Sequence, residues 1–250
     1  YTNTNYGVIV YAKTAKAFNY LEKWLGTPNF DAIMQKFYQK YAFKHVYPED
    51  LRRHFEAESG KWQEWFWDEL LPTTKPIDYK ITKVKLNTEK IGNTNYHKLT
   101  VTNKMGNTRG PYPIAAYKND EIVHSVWYDG FGGEMEVLFP AGDYDYFRID
   151  PARVVPEIDR TNNNYRLNGG NFLNKHMRPL KIKPLLSIET ERYKPLYLTP
   201  IFAFNTVDKA MFGLALYNNF LPARKFTFNL LPMYALGHER EGGLKRDDKW

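Results

Sequence analysis

Ile81-Thr82-Lys83-Val84-Lys85-Leu86 alternates apolar and polar side chains, and this stretch decides the fold class because the residues before it repeat at a different period. A period of two places every second side chain on one face, as in a strand half-buried against a core. Lys98-Leu99-Thr100-Val101-Thr102 and Glu134-Met135-Glu136-Val137-Leu138-Phe139 repeat the pattern. Turn-forming residues separate the runs, at Gly92-Asn93, Gly106-Asn107, Lys118-Asn119-Asp120 and Asp129-Gly130. Short strands at this spacing over residues 77–165 predict an antiparallel sandwich of about seven strands.

Working back toward the N-terminus, residues 6–71 follow helical spacing. Val10, Ala17, Leu21 and Trp24 form one stripe, which Gly26 and Pro28 should stop. Phe30, Ile33, Met34, Phe37, Tyr38 and Tyr41 form a second, with Asn29 as the expected N-cap. Pro48-Glu49-Asp50 opens a third helix carrying Leu51 and Phe55, broken at Ser59-Gly60. Trp62, Trp65, Phe66 and Leu70 predict a fourth, and Pro72 to Pro76 marks a domain boundary. Taken alone, these stripes describe a helical core and imply no chemistry.

Working forward, residues 166–185 contain Gly169-Gly170, Pro179 and Pro184 in a basic setting and read as a linker. Residues 186–250 resume β-like patterning. The runs are Tyr197-Leu198-Thr199-Pro200-Ile201-Phe202-Ala203-Phe204, Gly213-Leu214-Ala215-Leu216-Tyr217 and Lys225-Phe226-Thr227-Phe228-Asn229-Leu230. Such alternation, with aromatics near the strand ends, fits membrane-barrel strands and an ordinary sheet equally well.

Bulk properties narrow the classes. The aromatic fraction of 16% favours β-rich, aromatic-packed structure over a simple bundle. A net charge of +7 could suggest nucleic acid, but acids are interspersed with the bases and no dense basic run accompanies a recognition motif, so no nucleic-acid partner is expected. The absence of cysteine excludes thiol catalysis, disulfides and cysteine-rich metal sites. No apolar run is long enough for a membrane-spanning helix. Tyr1-Thr2-Asn3-Thr4-Asn5 is neither a signal peptide nor preceded by an initiator Met, and both ends read as cut from something longer.

The usual sources of chemistry are missing. Of His45, His54, His97, His124, His176 and His238, no two are spaced as His-x-x-x-His, and after His238-Glu239 the position for a second histidine holds Gly242, so no metal ligand is predicted. Ser59, Ser125 and Ser187 sit in no nucleophile elbow. Gly130-Phe131-Gly132-Gly133 lies between strand-like runs and reads as a turn, not a phosphate loop. The carboxylate pairs Glu56/Glu58 and Asp143/Asp145 are too common a pattern to assign.

One segment stands apart. Tyr11-Ala12-Lys13-Thr14 opens a helix that ends at Leu25-Gly26, and Phe30 follows in the next helix. This order, continued through Tyr41, Phe43, Pro48 to Leu51, Phe55-Glu56, Ser59-Gly60 and Trp65-Phe66, resembles the stretch downstream of the zinc motif in the M1 (gluzincin) aminopeptidases. Thr14 stands where that family has glycine. Ile149-Asp150-Pro151 and Pro156-Glu157 before Asn162-Asn163 look like the sandwich domain that follows in bacterial relatives, and the end of the chain looks like the start of a surface-antigen-type barrel.

The resemblance implies an α+β fold. Residues 1–75 would be the helical end of a thermolysin-like catalytic domain and 76–165 an immunoglobulin-like β-sandwich. A linker at 166–185 would lead to a further β-rich region at 186–250. It implies a zinc-dependent, aminopeptidase-like hydrolase acting on peptides with zinc-activated water, in which Tyr11 stabilises the oxyanion. The family's His-Glu-x-x-His helix and its Gly-rich, amino-terminus-binding strand lie upstream of that tyrosine and are not in this sequence. Zinc ligands are therefore expected upstream, and the chain alone is predicted inactive. The implied location is the periplasm or outer membrane of a bacterium. The rival reading is a non-catalytic module that binds or anchors at a bacterial outer membrane; it requires no zinc ligands upstream.

Overall fold

The computed structural model describes residues 3–106, 108–167, 180–184, 193–206, 209–218 and 226–236. Asn107, Gly169-Gly170, His176, Pro179, Ser187, Lys225 and the His238-Glu239 tail, all used above, lie outside the described residues. The chain divides into two compact units, residues 1–176 and 177–250.

The first unit begins with helix. α1 (Asn3–Tyr6) continues through a π-helical segment, Gly7–Lys13, into α2 (Thr14–Leu25). Gly26, at φ 86°, reverses the chain, and α3 (Thr27–Tyr41) starts at once with Pro28 in its first turn. Here the expected N-cap was misplaced. Proline's fixed φ suits the first helical turn, so Pro28 opens α3 instead of ending α2. Asn29 is already helical, and its amide donates back to the Leu25 carbonyl (3.2 Å). α4 (Pro48–Ser59) begins where the Asp50 carboxylate accepts the Tyr47 N–H (3.0 Å) and ends at Gly60, which is left-handed. A second π-helical segment, Trp65–Leu70, follows, with Trp62 exposed ahead of it.

Seven strands then form two antiparallel sheets: β1 (Tyr79–Ile91), β2 (Thr94–Asn103), β3 (Tyr112–Lys118), β4 (Glu121–Tyr128), β5 (Gly133–Pro140), β6 (Tyr146–Ile149) and β7 (Asn164–Arg166). One sheet has the order β1-β2-β5 and the other β4-β3-β6-β7. That is a Greek-key arrangement of the immunoglobulin-like kind, with the fourth strand on the second sheet. Asn119 and Asp120 both take positive φ (50° and 64°), as the tight β3–β4 hairpin requires. Phe139 of one sheet meets Phe147 of the other edge-on at 5.1 Å, and Tyr79 stacks on Tyr112 at 4.2 Å. At the β5–β6 corner the Tyr144 hydroxyl donates to the Pro140 carbonyl (3.1 Å), the hydrogen bond of a tyrosine corner.

Helices and sandwich share one core. Tyr20, Leu21, Trp65 and Phe66 pack with Ile77, Tyr79 and Tyr112. The Tyr20 hydroxyl donates to the Pro111 carbonyl. Its ring approaches Gly110 so closely that a Cβ there would lie 2.5 Å from the Tyr20 oxygen.

The second unit is a sheet of five strands: β8 (Leu180–Pro184), β9 (Lys194–Asn205), β10 (Lys209–Tyr217), β11 (Asn229–Leu230) and β12 (Met233–Ala235). β9 and β10 form an antiparallel hairpin, β8 joins β9 in parallel, and β11 and β12 pair with successive parts of β10. β8 falls inside the stretch read as linker. Its Lys181 and Lys183 made it look solvated, but parallel pairing with β9 orders it. The strand expected at residues 225–230 shrinks to Asn229–Leu230, because Asn218 captures the Phe226 carbonyl (3.1 Å) and the Phe228 N–H (3.0 Å) in place of a ladder.

Candidate functional site

Gly7-Val8-Ile9-Val10-Tyr11-Ala12-Lys13 combines a flexible glycine with three consecutive β-branched residues, a poor recipe for a tight α-helix. The backbone answers with the wider π-helical winding, a form that concentrates at functional sites. No residue in this segment is buried. Tyr11 is 65% exposed, and its ring meets that of Tyr6 edge-on, at 5.8 Å and 81°. Among the described residues its phenol has no hydrogen-bond partner.

Two features hold this exposed segment in place. Lys13, at its C-terminal end, donates from Nζ to the carbonyls of Leu71 (3.0 Å) and Thr73 (2.7 Å), capping the end of the Trp65–Leu70 segment. It thereby ties two helical segments together. Thr14, where the resemblance leads one to expect glycine, has ordinary helical torsions (φ −64°, ψ −47°), so the position makes no demand that threonine fails to meet.

The first acidic residue in the sequence is Glu22, and it is engaged by Lys23 (2.9 Å) and Thr27 (2.7 Å). Of the histidines, buried His54 contacts the Ile33 carbonyl through Nε2 (2.9 Å), and buried His97 accepts the Asn87 N–H at Nδ1 (3.1 Å). Glu56 pairs with Arg52, Glu58 with Lys36, and Asp143 and Asp145 both with Lys118. These carboxylates are surface ion pairs. Among the described residues no group of three His, Cys, Asp or Glu side chains could hold a metal ion. The described residues therefore do not form a zinc site.

The best-developed polar network lies elsewhere, and sequence reasoning missed it. Asp150 accepts the N–H groups of Val154 (2.9 Å) and Val155 (3.0 Å), and also Nη1 of Arg160 (2.8 Å). Glu157 accepts the Tyr79 N–H (3.1 Å) and the Asn163 amide, which also donates to the Ile149 carbonyl (3.1 Å). Burial pushes the Glu157 carboxyl up to about 8, and burial likewise raises Asp150 against the pull of Arg160. Every carboxylate oxygen here is spoken for by the loop that closes the sandwich and by the entry of β1, so the network is a brace. The signal was on the page as Ile149-Asp150-Pro151, Pro156-Glu157 and Asn162-Asn163, but without a partner for either acid.

Comparison with known families bears on the helical segment alone. Residues 2–70 match the peptidase family M1 domain. The matched M1 segment ends with the Trp65–Leu70 turn and contains both Tyr11 and Lys13, while the carbonyls that Lys13 holds, those of Leu71 and Thr73, lie just beyond it. A search of curated proteins gave no match. The M1 match is to a metallopeptidase family, and it supports a peptidase, hence a hydrolase acting on peptides, in the protein that carries this segment.

Proposed function

We propose that residues 3–70 form one wall of the active site of an aminopeptidase-like M1 zinc peptidase, with Tyr11 as the oxyanion donor. The observation that carries this reading is the position of Tyr11, a lone exposed phenol on a π-helical segment inside the M1 match. When a water attacks the scissile carbonyl, negative charge collects on its oxygen, and a phenol fixed on a helix donates a hydrogen bond to it without reorganising. Lys13 acts one step back, as a positioning residue that anchors the helix bearing Tyr11. Zinc, on which the M1 family depends, would have to be held by residues other than those described here.

Val8, Ile9 and Val10 are exposed beside Tyr11. Three aliphatic side chains in a row gain nothing from water, and they suit a surface laid against the metal-bearing part of a peptidase domain.

The decisive test is Tyr11→Phe in the intact, zinc-loaded protein, assayed on an aminoacyl-p-nitroanilide. Loss of one oxyanion donor should lower kcat about 10²–10³-fold, with the unfolding midpoint unchanged. An unaltered kcat removes Tyr11 from the chemistry. The 250-residue chain alone should show no hydrolysis, with or without added zinc.

A further inference from the structure

The β9–β10 hairpin sorts its side chains by face. In the observed register Phe204 pairs with Ala210, Phe202 with Phe212, Pro200 with Leu214 and Leu198 with Leu216. Alternation puts these residues, with Leu196, on one face of the sheet. β12 adds Tyr234 opposite Phe212, β11 adds Leu230 opposite Leu216, and β8 adds Ile182 opposite Leu196. Apart from Lys194 at one end, this face holds no charged residue. The other face mixes Lys181, Lys183, Thr199, Asn205 and Lys209 with Tyr197, Ile201, Ala203, Met211, Ala215 and Tyr217.

Exposure runs opposite to the expectation for a water-soluble sheet. On the all-apolar face Phe202 and Phe204 are 73% and 74% exposed, and Phe212, Leu214, Leu230 and Tyr234 are exposed as well. The residues that are buried, Tyr197 and Ala215, belong to the more polar face. The apolar face is also graded. Phe202, Phe204, Phe212 and Tyr234 cluster at the end where β9 turns into β10, next to Asn205 and Lys209, while Leu196, Leu198, Leu214, Leu216 and Leu230 fill the remainder. An aliphatic band bordered by an aromatic row is the pattern of a surface meeting lipid, with aromatic rings at the headgroup level.

Length agrees for both strands, and backbone pairing for β10. On its outer edge β9 is paired by β8 only from Lys194 to Leu198, and from Thr199 to Asn205 it pairs with β10 alone among the described residues. A strand crossing a bilayer needs about 9–11 residues, and β9 has 12 and β10 has 9. A strand in hydrocarbon must have its N–H and C=O groups paired. β10 meets β9 along one edge, and along the other it meets β12, β11 and the hydrogen bonds Leu236 N to Ala210 O and Leu214 N to Pro232 O. The parallel strand β8 does not fit the antiparallel order of a spanning barrel, which leaves the β9–β10 hairpin as the part that enters the membrane.

We infer that the even-numbered face of the β9–β10 hairpin lies against the acyl chains of a phospholipid bilayer. This does not depend on the peptidase reading, and its failure would leave that reading untouched. The chain has no cysteine, so single thiols can report each face. Ala210→Cys, Phe212→Cys, Leu214→Cys and Leu216→Cys on one face and Thr199→Cys, Lys209→Cys and Met211→Cys on the other, made one at a time in the full chain, would be labelled with an environment-sensitive fluorophore. The labelled chains would be refolded into dilauroylphosphatidylcholine vesicles. Emission should shift to the blue at 210, 212, 214 and 216 and stay unshifted at 199, 209 and 211, only when vesicles are present. No vesicle-dependent shift, or an equal shift on both faces, overturns the inference. A blue shift at even positions without vesicles overturns it too, since protein would then cover the face. In parallel, Leu214→Arg should weaken partition into the vesicles at least about 30-fold; partition equal to the parent chain counts against a lipid-facing Leu214.

Discussion

Tyr11 and Tyr20 are nine residues apart on one continuous helical run, and the chain treats them in opposite ways. Tyr20 is fully buried, stacks near Trp127, tilts against Trp65 and donates to the Pro111 carbonyl, with burial and the nearby carboxylates holding its proton on well above the ordinary range. Tyr11 faces solvent on a segment in which nothing is buried. The winding changes with the environment. Residues 14–25, which have the sandwich to pack against, form regular α-helix, whereas residues 7–13 take the looser π form. Local propensity favours regular helix at residues 14–25 more than at 7–13, and tertiary contact then decides which tyrosine is buried and which stays exposed.

The comparison is broken most directly by truncating each ring in turn. Tyr20→Ala removes a buried aromatic and its hydrogen bond and should cost about 3–5 kcal/mol. Tyr11→Ala should change stability by no more than about 0.5 kcal/mol. Five of the six tryptophans (Trp24, Trp62, Trp65, Trp67 and Trp127) lie in the first unit, so urea unfolding followed by tryptophan fluorescence reads that unit. A large loss from Tyr11→Ala would mean that residues 3–13 are packed in solution and that Tyr11 is one more core aromatic.

Much of this was legible in the sequence because period and punctuation are local. The change from helical spacing to alternation, the Gly92-Asn93 and Asn119-Asp120 turns and the stop at Gly60 each depend on a few neighbouring residues, and the seven-strand sandwich follows. What could not be read depends on partners far along the chain. The composition of residues 7–13 argues against a regular helix, but that nothing packs over this segment is not visible in any window. The grip of Lys13 on Leu71 and Thr73 spans about sixty residues, and that of Glu157 on Tyr79 nearly eighty. Alternation in β9 and β10 gave the strands, but only their mutual register showed that the apolar faces coincide.

The Glu157 brace sharpens the same contrast from the buried side, since it fixes the entry of β1, whose Tyr79 shares a core with Tyr20. With its carboxyl raised from 4.5 to about 8, the native state binds more protons than the unfolded chain between those values. Stability is therefore greatest below pH 4.5 as far as this group is concerned, and it falls as pH rises through 8, by on the order of 3 kcal/mol. Glu157→Gln cannot ionise. It should flatten the profile between pH 5 and 9, start about 1 kcal/mol below the parent at pH 5 because one hydrogen bond to Asn163 is mismatched, and cross above it by pH 9. Parallel profiles for parent and variant would show that Glu157 is ionised throughout and solvated.

A smaller loss than at Tyr20 or Glu157 is expected at the junction between the two ends of the helical run, where Lys13 sits. Lys13→Met keeps the aliphatic stem but removes two charge-assisted hydrogen bonds to carbonyls that water can still reach, so the loss should be about 1 kcal/mol in urea unfolding. Lys13→Arg retains donors and should recover most of it. The same pair separates anchoring from chemistry in the intact protein. If Lys13 positions Tyr11, Lys13→Met lowers kcat with KM nearly unchanged, and Lys13→Arg restores it. A kcat that stays constant while stability drops would show that the tie holds the helices together without fixing the tyrosine, and the free end of the run would then owe its order to whatever covers it.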